Sequence, residues 1–324
     1  MLSDDAAPAS LSPAPSVSPD GATHPLAPTP PTADPGSLHH ITAGPYSAEI
    51  GTRGAALRAL TLAGRDLVVP QTPDLSLLAY SGRVLAPWPN RLADGEYTWD
   101  GVTYRVPINE AATNTALHGL LCWTDFTPED VTDAAVTLAA VVDDPGYPTT
   151  LTVRVTYAID AETGLTVRIA SENTGPRSAP YGVSHHPFLT ARAPVDECRL
   201  TLPAASVLRV DERLLPVSLD DVAGTFDLRA GDTFGARSVD HAFAGLPPRW
   251  EARLEGPEGA AVVMEAEDPW CQVYSGEEIG RAGVAVEPMT CPPDAFNSGE
   301  DVIVLEPGDS HVFEFRIRGE GPPQ

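Results

Sequence analysis

From about residue 40 onward, apolar and polar positions alternate in short stretches that are broken by turn residues. Leu151-Thr152-Val153-Arg154-Val155-Thr156-Tyr157 puts every second side chain on one face; Asp160 to Gly164 then turn the chain into Leu165-Thr166-Val167-Arg168-Ile169, which alternates again. A period of two marks a half-buried strand, so this pair predicts a hairpin. Tyr97-Thr98-Trp99 and Val102-Thr103-Tyr104-Arg105-Val106 flank Asp100-Gly101 and predict another, because an Asp-Gly pair supplies the positive φ angles of a tight hairpin turn. Shorter runs at Ala261 to Met264, Gln272 to Tyr274 and Val284 to Val286 continue the pattern. So do Val302 to Leu305 and His311 to Ile317, which are joined through Glu306-Pro307-Gly308-Asp309. Helical periodicity is nearly absent, and no repeat of propeller length is visible. The expected fold is all-β, with antiparallel sheets layered as a sandwich.

Residues 1 to 37 break from this pattern. They are dominated by Pro, Ala, Ser, Thr and Asp and carry few large apolar groups, so they read as a disordered tail ahead of a single folded domain at 38–324. The alternating prolines suit extended conformers, but no motif names a protein partner for the tail.

Composition then removes several chemistries. All 20 basic residues are arginine. Without lysine there is no Schiff-base nucleophile, no pyridoxal phosphate linkage and no phosphate-gripping P-loop lysine. The formal net charge of -25 disfavours nucleic acid and anionic membrane surfaces as partners, while leaving a neutral ligand such as a sugar open. No run of about eighteen apolar residues suggests a membrane span. The acidic start Met1-Leu2-Ser3-Asp4-Asp5 lacks the features of a secretory leader, so a cytoplasmic location is expected. Cys122, Cys198, Cys271 and Cys291 are widely spaced and read as buried free thiols.

Two segments carry candidate chemistry: Ser184-His185-His186-Pro187-Phe188-Leu189 and Val286-Glu287-Pro288-Met289-Thr290. If the fold joins them, an imidazole and a carboxylate face one pocket, the minimum equipment for moving two protons on one substrate. Each proline biases the residue before it toward extended backbone, so neither side chain hangs on a loose loop.

The order of these and other elements resembles the aldose 1-epimerase, or galactose mutarotase, family. The shared elements are Pro87-Trp88-Pro89-Asn90-Arg91, Tyr97 with its Asp100-Gly101 turn, Pro107-Ile108-Asn109, Leu117-His118-Gly119, His186-Pro187-Phe188, Asp240-His241-Ala242-Phe243, Gln272-Val273-Tyr274 and Glu287-Pro288-Met289-Thr290, spread over residues 45 to 318. The resemblance implies a large antiparallel β-sandwich of the galactose mutarotase-like type, a small-molecule aldose as partner, no cofactor, no metal, and interconversion of sugar anomers. It implies His186 as general acid and Glu287 as general base, with Arg91, His118, Asp240 and Asn90 binding sugar hydroxyls. The His-Pro-aromatic element selects His186 over His185, which is left at the rim or in the opposite layer. Trp270 or Phe296 is a candidate for stacking on an apolar sugar face, with core packing as the alternative. His118 and Asp240 also have structural readings, as a core histidine and a turn aspartate. A zinc site from His118, His186 and Glu287 matches by residue type, but no ligand pair has metal-site spacing. The flanking Ser184, His185 and Leu189-Thr190 depart from the commoner Asn-His-x-Tyr-Phe-Asn-Leu form and leave the preferred sugar open. Two rival readings remain: a hexose-phosphate epimerase drawing on arginines such as Arg53, Arg58 and Arg83, and a non-catalytic sugar-binding module.

Overall fold

The computed structural model describes residues 32–72 and 80–321. Two large antiparallel sheets face each other. The first runs, in spatial order, Thr127–Val131, Ala135–Val142, Leu151–Asp160, Gly164–Asn173, Ser310–Glu320, Ala261–Ala266, Trp250–Glu255 and Arg199–Thr201. The second runs Pro216–Asp221, Ser206–Val210, Asp240–Ala244, Trp270–Tyr274, Val284–Met289, Ser184–His185 and Val84–Leu85, with Phe188–Leu189 also paired to Val284–Met289. A four-stranded sheet from Leu38–Ala43 to Arg65–Asp66 precedes them. Among the described residues, α-helix is confined to Ala295–Ser298.

The core lies where the period-two pattern puts it. Val153, Val155, Tyr157, Val167, Ile169, Phe313 and Phe315 of the first sheet share one buried cluster with Phe243, Cys271, Val273, Val284 and Val286 of the second. Both predicted hairpins form: Leu151 pairs with Asn173 and Asp160 with Gly164, while Asp100 and Gly101 take φ of 48° and 74° between Glu96–Trp99 and Val102–Arg105. Ile303–Leu305 and Ser310–Glu320 do not pair across Glu306-Pro307-Gly308-Asp309; the first pairs with Ala179–Tyr181, and the second runs through the middle of the first large sheet. The turn therefore hands the chain from one layer to another.

Most of the expected tail, residues 1–31, lies outside the described residues. Its last stretch is held, since Ser37 N–H donates to Thr52 Oγ1 and Arg53 N–H to Pro35 O. All four cysteines are buried and free.

Candidate active site

Alternation along Val284–Met289 sends Val284 and Val286 into the core and Ala285, Glu287 and Met289 to the opposite face of the sheet. Glu287 is in register with Gln272 on Trp270–Tyr274, and Gln272 with Ala242 on Asp240–Ala244. On that outer face a cleft of about 500 Å³ opens, lined by Asn90, Arg91, His118, His186, Asp240, Gln272 and Glu287, among others. His186 follows the short strand Ser184–His185; its N–H donates to Arg83 O and its carbonyl accepts from Gly82 N–H, at 3.1 and 2.6 Å. This anchoring brings His186 Nε2 to 3.3 Å from Glu287 Oε1 at the buried floor of the cleft. Glu287 Oε2 and Gln272 Oε1 are also buried and have no hydrogen-bond partner among the described residues.

The roof comes from the opposite side. Asn90 and His118 both take left-handed backbone, with φ of 57° and 64°, and close on each other: Asn90 N–H donates to His118 Nδ1 and His118 N–H to Asn90 O. The first of these bonds puts the imidazole proton on Nε2, so His118 offers a donor. Gly119 is required beside it, because a Cβ there would lie 2.2 Å from Ala86 O. Arg91 is clamped by Glu110, Nε to Oε2 at 2.7 Å and Nη2 to Oε1 at 2.9 Å, and its Nη1 stands 3.6 Å from Asp240 Oδ2. Thr113 and Thr115 hydroxyls donate to the same Glu110 carboxylate.

Residues 37–318 match the family model for aldose 1-epimerase. The chain belongs to the aldose 1-epimerase family. It is 45% identical over 276 residues to the uncharacterized protein YihR of Escherichia coli, covering 84% of this chain and 89% of that one. It is 32% identical over 268 residues to the galactose mutarotase of Sus scrofa, covering 72% and 76%. The crystal structure of the GalM/aldose epimerase homologue from C. elegans shares the fold, with a TM-score of 0.78 at 19% identity over 88% of this chain and 99% of that one.

Within this family member the electrostatics of the pair follow from burial. Burial pushes the Glu287 carboxyl well above the usual range, the nearby Asp240 charge adds to the rise, and Arg91 opposes it. Burial pushes the His186 imidazole down to about 4. His118 is held well below its ordinary value by burial first, then by His186 and Arg91. Glu110 is lowered despite the opposing effect of burial, because Arg91 and the two threonines bond its charged form.

His186, Glu287, Arg91, His118, Asp240 and Asn90 all reach the cleft of this epimerase fold. Trp270 does not. It points to the same side of the sheet but packs on Leu208, Ala242, Ala244 and Met289, and its indole N–H donates to Asp301 at 2.7 Å, so packing claims it two positions from Gln272. Phe296 packs against Trp88 and Tyr97 instead. His185 lies in the inter-sheet layer, with Nε2 2.9 Å from Tyr157 OH and its ring against Phe315. Glu110 and Gln272 are the functional candidates that sequence reasoning passed over. Gln272 had a signal, since it is the outward position of an alternating strand; Glu110 sits in an aperiodic loop and had none. Arg53, Arg58 and Arg83 form no anion cluster in the cleft: Arg53 pairs with Asp125, Arg58 with Glu49, and Arg83 lies over the Trp123 ring.

Proposed function

We propose that this chain interconverts the α and β anomers of free aldohexoses by opening and closing the sugar ring. The observation that carries this reading is the buried contact of His186 Nε2 with Glu287 Oε1 at the floor of a polar cleft of about 500 Å³. A neutral carboxyl beside a neutral imidazole, which burial favours, holds the same number of protons as carboxylate beside imidazolium. Passing the Glu287 proton across 3.3 Å to His186 therefore makes the base and loads the acid in one move. Glu287 then takes the proton of the anomeric hydroxyl while His186 delivers one to the ring oxygen. The C1–O5 bond breaks, C1 becomes an aldehyde, the C1–C2 bond rotates and closure on the other face reverses both transfers. No electrons leave the sugar. Arg91 Nη1 and His118 Nε2–H donate to hydroxyls, and Asp240 accepts.

The phosphate-bearing rival has less support. Arg91 is the one arginine among the described cleft-lining residues, and it faces two carboxylates. A cytoplasmic setting fits four free thiols, and no helix among the described residues is long and apolar enough to cross a membrane.

The test is polarimetry of fresh α-D-glucose and α-D-galactose with and without protein. Wild type should speed the approach to anomeric equilibrium, and folded Glu287→Gln should lose about 10²–10⁴-fold, the usual worth of a general acid or base. A Glu287→Gln variant within a few-fold of wild type would remove Glu287 as the base and move the search to Asp240.

A further inference from the structure

We propose that the cavity lined by Arg65 and Arg192 is a second binding site, which takes the phosphate group of a small phosphomonoester. The site is independent of the epimerase reading, since this cavity of about 280 Å³ shares no lining residue with the cleft. Its floor is Arg65, in the two-residue strand Arg65–Asp66 at the edge of the four-stranded sheet. Alternation buries Arg65 and leaves Asp66 at the surface. Arg65 is only 2% exposed. Its Nη2 donates to Glu320 O at 3.0 Å and its Nη1 to Ala261 O at a long 3.4 Å, and no carboxylate pairs with it among the described residues. A buried guanidinium is ordinarily paired, because it has given up the water that would otherwise carry its charge. Asp and Glu outnumber arginine 45 to 20 in this chain, so a carboxylate partner is easily found, and Arg65 lacks one.

The neighbouring charge sharpens the lack. Arg192 lines the same cavity and has no hydrogen bond or ion pair among the described residues. Its charge adds to burial in loosening the Arg65 proton. Asp66, the one acidic residue among those lining the cavity, forms no ion pair with either arginine. Two like charges on one cavity are relieved by an anion, and a pair of guanidinium forks matches the oxygens of a phosphate. Val69, Pro70 and Ala282 make the rest of the wall apolar, a surface that the organic part of an ester covers and a free phosphate does not. The acidity of the whole chain repels anions, so saturable binding at millimolar concentration reports a local site rather than a general attraction.

The test is titration calorimetry and thermal unfolding of the full chain with glycerol 3-phosphate, with inorganic phosphate, and with sodium chloride at matched ionic strength. Glycerol 3-phosphate should bind at a single site and, at about ten times its Kd, raise Tm by about 3 °C, while chloride should do neither. Arg192→Gln changes an exposed residue and should keep the fold while weakening binding about tenfold or more. Arg65→Gln should weaken it as much; if that buried change prevents folding, Arg192→Gln decides alone. No saturable binding of glycerol 3-phosphate to wild type, or an unchanged Kd in folded Arg192→Gln, overturns the site. So does a Tm rise that persists undiminished in that variant, the mark of phosphate excluded from protein surfaces in general. Inorganic phosphate should bind more weakly than the ester; equal or tighter binding overturns the phosphomonoester and hands the cavity to the free ion.

Discussion

His185 and His186 share a peptide bond and belong to different chemistries. Extended backbone sends one into the space between the sheets and the other into the cleft. Tyr157 OH donates to Ala55 O, so it accepts from His185 Nε2–H; the ring is neutral, and burial pushes it down to about 3. His185→Asn should keep turnover within a few-fold of wild type and lower stability by about 1–3 kcal/mol, the cost of a broken buried hydrogen bond, read by denaturant unfolding. The penalty should depend on pH. Below the ordinary imidazole value of 6.5 the unfolded wild type binds a proton at His185 that the folded state refuses, so wild type loses there, beyond what both proteins lose through His186 and His118, up to about 1.4 kcal/mol per pH unit. The gap between wild type and His185→Asn should thus narrow from pH 7 toward pH 4. His186→Asn should do the reverse, with stability kept and turnover lost. On the proposed mechanism the pair His186–Glu287 works with one proton between its members, so kcat/KM should hold a plateau through neutral pH. Its acid limb should fall near 4, where a second proton removes the base, and not near 6.5. A measured acid limb at 6.5 would place His186 in water rather than in a dry floor.

At the scale of elements, the cleft is a contest for Arg91. The strand Arg91–Ala93 pairs with Thr115–Leu117, and between them, beyond the Glu96–Trp99 and Val102–Arg105 hairpin, a loop returns Glu110 to clamp the guanidinium in two places. That clamp keeps the ion pair of Arg91 Nη1 with Asp240 Oδ2 long, at 3.6 Å, against 2.7 Å for its contact with Glu110. The hairpin tip beyond Val210 braces the same loop, since Arg213 donates to Thr113 O and Asn114 O. Glu110→Gln keeps the shape and discards the charge, so Arg91 should swing further toward Asp240 and pair with it more closely. KM should rise about tenfold or more with kcat changed far less, because binding groups are lost and the proton-transfer pair is untouched. A fall in kcat at constant KM would contradict this division of labour. Glu110 was illegible in the sequence because its loop has no period; its role exists only through the return of the loop onto a strand 19 residues earlier.

The whole molecule places its site on the outer face of one sheet and spends the inner faces on a common core. Loss of residues 1–31 should leave Tm and mutarotation rate unchanged, since their composition offers little apolar surface to bury. Extending the deletion through residue 37 should lower Tm, because it removes the backbone contacts of Pro35 and Ser37 with Thr52 and Arg53. Differential scanning fluorimetry of the two truncations checks both statements; equal Tm values would show that these contacts carry no stability.

Strand positions, hairpin turns and the two faces of each strand were determined by the chain itself, because alternation and turn chemistry are local. The proline after each of His186 and Glu287 marked two short extended elements, but it was the resemblance to the family that selected His186 over His185, and that the two side chains meet was not in the sequence. Which strands became neighbours was decided only in three dimensions. Period two tells that Trp270 and Gln272 share a face, but not that Asp301 and Met289 seal one while the other opens to the cleft. The turn at Pro307-Gly308 looks local, yet whether it closes a hairpin or crosses between layers depends on which sheet has room for the next strand. The electrostatics of the His186–Glu287 pair lie furthest from the sequence, since only the packed layers strip away the water that would otherwise keep the carboxyl ionised and the imidazole near its ordinary value.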